Sequence, residues 1–67
     1  MSLRSEHVLR IGQDRAGHWI VQESDGPLEG LFRSREAAIA FAMRECRAVP
    51  GLRMELATTP LASILAH

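Results

Sequence analysis

Chemistry in this chain of 67 residues would have to come from three histidines, one cysteine, a serine ahead of a helical stretch and a scatter of carboxylates. His7, His18 and His67 stand far apart, and no two have the i, i+4 spacing that puts paired imidazoles on one helix face for a metal. His7 and His18 flank a short loop, so a hairpin would make them cross-strand neighbours. Two imidazoles still fall short of the three protein ligands of a catalytic zinc site and the four of a structural one. The spacing therefore predicts surface histidines and no metal. Cys46 falls on an apolar helical arc with Arg44, Glu45 and Arg47 pointing elsewhere, and reads as a small core residue, not as a thiolate nucleophile with a base beside it. Ser34 has the setting of a helix cap and lacks the glycines of a Gly-x-Ser-x-Gly elbow. Glu23, Asp25, Glu29, Glu36, Glu45 and Glu55 are dispersed, with no pair placed for acid–base work. No catalytic or cofactor-binding residue is expected, no cofactor, and no enzyme.

Charge narrows the partners. The eight basic residues are all arginine, they are balanced by eight acids, and the formal net charge is zero. A neutral domain lacks the field most nucleic-acid binders use. Arg33, Arg35, Arg44 and Arg47 could form a phosphate-facing edge, but the acids among them read as a solvated helix face. A sheet that binds single strands wants aromatic platforms, and Trp19 and the two phenylalanines are needed for packing. Nucleic acid is thus permitted as a partner without being favoured. No apolar run approaches the roughly 20 residues of a membrane span, so no membrane partner is expected. The first residues do not read as a signal peptide, and a lone cysteine in a small domain fits a reducing compartment. The expected location is cytoplasmic.

The elements that must position these residues follow from local pattern. Residues 1–6 read as a flexible polar lead. His7–Ile11 has the branched residues of a strand, Gln13–Gly17 is a hairpin loop, and His18–Ser24 is the clearest strand. Period-two alternation puts Trp19 and Val21 on one face and His18, Ile20 and Gln22 on the other, with Arg10 and Arg53 or Glu55 beside them. Asp25-Gly26-Pro27 and Gly30 break the chain before a short third strand at Leu31-Phe32. Ser34 caps a helix over Arg35–Ala48, with Glu36 in its first turn and Pro50-Gly51 ending it. Leu52–Leu56 alternates strictly and predicts a last strand with Leu52, Met54 and Leu56 facing in. Thr59-Pro60 reads as the start of a short C-terminal helix over 60–66.

A wheel at about 100° per residue sharpens the helix. Ala38, Ile39, Ala42, Cys46 and Val49 share one arc, the face for the sheet, while Ala37, Phe41 and Ala48 form a second apolar stripe. That second stripe predicts a cover for Phe41, either the Leu61–Ala66 segment or a second subunit.

The string from Gly17-His18-Trp19-Ile20-Val21 to Gly30-Leu31-Phe32-Arg33-Ser34-Arg35-Glu36-Ala37-Ala38-Ile39-Ala40-Phe41-Ala42 resembles a small bacterial family catalogued as domain of unknown function 2188. Its pattern is a strand, a Gly-x-Trp-x-Val-like partner, a Phe before a Ser or Thr cap, then Glu-Ala and an alanine-rich helix. The likeness covers about residues 7–47 and implies a fold without a known activity. A weaker similarity is to antitoxin subunits of HicB type, which also place a β-hairpin before a helix opened by Glu-Ala. That one would imply toxin neutralisation and operator binding.

The expectation is a single domain over 1–67 of the α+β class: a small antiparallel sheet of three or four strands on one long helix, in the order β-β-β-α-β, with the short C-terminal helix. Trp19, Val21, Phe32, Ile39, Ala42, Cys46, Leu52, Met54 and Leu56 are the expected core. A domain this short buries only about 60% of its unfolded surface and readily recruits a second chain. The expected function is a non-enzymatic protein-interaction module, binding itself as a homodimer or another small protein through Phe41, Leu61, Ile64 and Leu65. An antitoxin-like or DNA-binding regulator is the alternative.

Overall fold

One carboxylate organises the first hairpin. Asp14 Oδ1 accepts hydrogen bonds from the N–H groups of Ala16 and His18, each at 2.9 Å. The Gly17 N–H returns to the Asp14 carbonyl at 3.0 Å, with glycine supplying the φ of +91° the turn requires. In the computed structural model, which describes residues 7–24, 26 and 28–62, this turn joins β1 (Val8–Gln13) to β2 (Trp19–Glu23). The strands run antiparallel with Ile11 opposite Val21 and Gln13 opposite Trp19. β3 (Glu29–Phe32) continues the meander, with Trp19 opposite Phe32 and Val21 opposite Gly30.

Ser34 then starts the helix as its sequence context predicts. Its backbone is extended, and its hydroxyl accepts the Ala37 N–H at 3.1 Å, satisfying one of the donors a helix start leaves orphaned. α1 spans Arg35–Ala48, with Glu36 in the first turn and Arg47 in the last, both signs suited to the helix dipole. The chain turns at Pro50-Gly51, where Gly51 takes φ +88°, and enters β4 (Arg53–Leu56).

The sheet order is β3-β2-β1-β4, and β4 runs parallel to β1, with Leu9 opposite Met54 and Ile11 opposite Leu56. The sheet is therefore mixed, which corrects the expectation of an all-antiparallel one. The reason lies in the length of the return. Fourteen helical residues travel about 21 Å, enough to bring the chain back along the sheet. The next strand must then point the way β3 points, which is also the way β1 points.

The core lies between helix and sheet. Leu9, Ile11, Val21, Ala38 and Ala42 are buried together, with Trp19, Leu28, Phe32, Ile39, Phe41, Cys46 and Leu52 packed around them. Val21 and Ala42 are thus core as expected, and Trp19, Phe32, Ile39, Cys46 and Leu52 form its half-buried rim. Met54 and Leu56 are corrections: they are 43% and 54% exposed. Their side of β4 does face the helix, but β4 is an edge and α1 reaches over its inner flank alone. The fully buried Leu9, Ile11 and Val21 take the central places instead, while Ile20 is buried on the opposite sheet face, each stabilising by about 1.5–3 kcal/mol.

The opposite sheet face is covered in part: Gly12 and Ile20 are buried there, while Arg10, Leu31 and Glu55 stay exposed. Beyond β4 the chain stays beside β1, where Ala57 and Leu61 donate their N–H groups to the carbonyls of Ile11 and Gln13. Ala57 and Leu61 crowd the far side of Gly12, and the Gln22 side-chain amide donates to the Ala62 carbonyl. Residues 60–62 are not helical, so the predicted C-terminal helix is absent there; its remainder, 63–66, lies outside the described residues, as does the 1–6 lead.

Candidate functional site

The hairpin separates the two histidines that proximity in sequence had paired. His7 sits at the open end with Nδ1 3.2 Å from Glu23 Oε2, and His18 at the loop end with Nδ1 2.7 Å from Asp14 Oδ2. They are not cross-strand neighbours, because the register sets Glu23 opposite Leu9 and Trp19 opposite Gln13, which leaves His7 at one end of the ladder and His18, facing Asp14, at the other. His67 lies outside the described residues. Among the described residues, no three His, Cys, Asp or Glu side chains gather as metal ligands would. Loss of solvent around Asp14 favours its neutral acid, but the His18 ring and N–H, joined by the Ala16 N–H, outweigh this and hold its carboxyl below the usual carboxylate range. That carboxylate is occupied in shaping the turn.

Several of the other candidates are engaged structurally. Cys46 is half-buried against the core. The Gln22 amide donates to Glu29 at 3.1 Å, and Glu55 lies 3.5 Å from Arg10 on the far sheet face. Arg33, Arg35, Arg44 and Arg47 are exposed around the helix and its entry.

Of the four residues expected at an interface, the two described ones, Phe41 and Leu61, lie on opposite faces of the sheet. Phe41 meets Phe32 of β3, with ring centroids 5.1 Å apart and planes at 40°. Phe32 fits there because Gly30, its neighbour on the same face, leaves the space: a Cβ on Gly30 would stand 2.8 Å from the Phe32 ring. Phe41 is therefore covered from within the sheet, at the β3 side, while Ala37 and Ala48 of the same stripe are exposed. Leu61 lies against Gly12 on the opposite face of the sheet from the helix. Ile64 and Leu65 are outside the described residues.

An exposed apolar surface lies at the other side of the helix. Ile11, Ile39, Met54, Glu55 and Leu56 line a groove of about 210 Å³ between α1 and β4. Ile39 lies on the helix flank away from Phe41, so one broad apolar arc spans the sheet from β3 to β4. Along the groove runs the outer edge of β4, which no other strand among the described residues pairs. Arg53 and Ala57 give their N–H groups to the carbonyls of His7 and Ile11. Backbone groups alternate in direction along a strand, so the N–H and C=O of Met54 point away from β1, and so does the N–H of Leu56.

This edge was missed in the sequence because the alternation of Leu52–Leu56 looks the same in a central strand and in an edge strand. Its one local trace is length, since short strands suit sheet edges. No family model, curated protein or solved structure matches the chain.

Proposed function

We propose that the protein is a non-enzymatic protein-interaction module whose docking surface is the outer edge of β4 with its groove. The observation that carries this is the exposure of Met54 and Leu56 on the helix-facing side of an edge strand. Parallel pairing normally belongs to sheets covered on both faces, and an edge strand with outward N–H and C=O groups is a template for an added strand. Main-chain hydrogen bonds would supply affinity, and the groove would select an apolar side chain at alternate positions.

The test is a titration of the isotope-labelled chain, at micromolar concentration, with short extended peptides that alternate apolar and charged residues. The amides of Met54 and Leu56 should respond together with the methyl groups of Ile11 and Ile39. Met54→Pro should abolish the response without unfolding the chain, because it deletes only an outward-pointing donor. Peptides that leave β4 silent while perturbing another surface, or perturbing none, would remove this reading.

A further inference from the structure

The sequence of the docking edge is self-complementary. Leu52-Arg53-Met54-Glu55-Leu56 reads the same in chemical type from either end, except that Arg53 mirrors Glu55. Resting on the docking role proposed for β4, we infer that its partner is a second copy of this chain, whose β4 pairs antiparallel about a twofold axis at Met54.

Three features of the edge agree on this one register. The backbone groups of Met54 face outward, so Met54 opposite the partner's Met54 exchanges both of their hydrogen bonds, the arrangement of a hydrogen-bonded antiparallel pair. The flanking positions, Arg53 opposite the partner's Glu55 and the reverse, then fall at the closer non-hydrogen-bonded spacing, where opposite charges attract across strands. Both lie on the far sheet face, where Arg10 already stands 3.5 Å from Glu55. On the helix face, Leu52 meets the partner's Leu56, and the exposed Met54 pair closes the groove from both sides. A shift by one residue would set unlike faces together, charge against apolar side chain. Pairing in this register makes one continuous sheet through both copies, with an isologous interface that closes on itself.

Sedimentation of the whole chain across a concentration range tests the pairing. The wild type should dimerise. Arg53→Glu places two acids opposite two acids, and Glu55→Arg places two cations opposite two cations, so each variant alone should associate about tenfold more weakly or worse. Mixed together, the two variants should recover a heterodimer, since every cross-strand pair is again Arg with Glu. That recovery also shows that both variants fold. A wild type that stays monomeric at millimolar concentration overturns the inference, as does a dimer indifferent to both substitutions, or one weakened by each but not recovered on mixing. Each of these leaves the peptide titration to judge the docking surface separately: a monomer that binds foreign strands at β4 keeps the docking role and loses the self-pairing.

Discussion

Gly12 and Ala57 approach so closely that a Cβ added to the glycine would stand 2.8 Å from the Cβ of Ala57. The contact clamps the chain after β4 onto the far face of the sheet, and Leu61 completes it, 3.2 Å from the same point. An alanine Cβ cannot rotate away, so relief requires the backbone to move. Gly12→Ala should cost about 1–3 kcal/mol as an overpacked site. Ala57→Gly added to it should return part of that loss. Denaturant unfolding of the two variants and the double variant measures both effects.

The turn carboxylate gives an acid dependence of known sign. The folded-state pKa of Asp14 is depressed, so its stabilising contribution is complete above the unfolded value of about 3.9 and disappears as pH falls through the folded value. Asp14→Asn keeps an oxygen that can accept from Ala16 and His18 but carries no charge. The wild type should therefore exceed the variant in stability near neutral pH, and the gap should close in acid. Thermal unfolding of both from about pH 6 down to about pH 2 checks it; a constant gap would rule out the charge as its source.

Two leucines facing the same side of adjacent strands should behave oppositely. Leu9 is fully buried at the centre of the core, and Leu9→Ala should cost about 2–5 kcal/mol. Leu56, 54% exposed at the edge, should change stability by about 0.5 kcal/mol or less on truncation in the monomer. The same Leu56→Ala change should weaken any association through β4. Unfolding at low concentration, set beside sedimentation at high concentration, separates the two.

The Phe32–Phe41 contact couples the sheet to the helix. A double-mutant cycle through Phe32→Leu and Phe41→Leu should report about 0.5–1.5 kcal/mol of interaction beyond the area each ring buries. A coupling near zero would mean that the two rings pack independently.

What was legible in the sequence was local. Ser34 and Pro50-Gly51 marked the ends of α1, Gly17 marked its turn, and the alternation around Trp19 assigned the faces of β2, because each signal is carried by neighbours in the chain. The wheel found the stripe bearing Phe41 for the same reason. It could not find Phe32 as its cover, since that contact depends on the notch at Gly30 and on β3 lying at the margin of the sheet. Likewise the alternation in β4 announced a strand but held no record of its direction or its place in the order. Those are settled by what α1 can reach, and they decided that Met54 and Leu56 rim a groove instead of filling a core.

The parallel joint between β1 and β4 has a consequence in time. Both hairpins and the helix are made from residues close together in the chain, whereas Leu9 and Met54 become partners only across the whole intervening length. Closing so long a loop costs chain entropy before any contact repays it. β4 should therefore be the last strand to assemble and the first to open. Its amides should exchange with solvent ahead of those shared by β1 and β2, and the nascent chain would complete its meander and helix before acquiring the edge it offers to a partner.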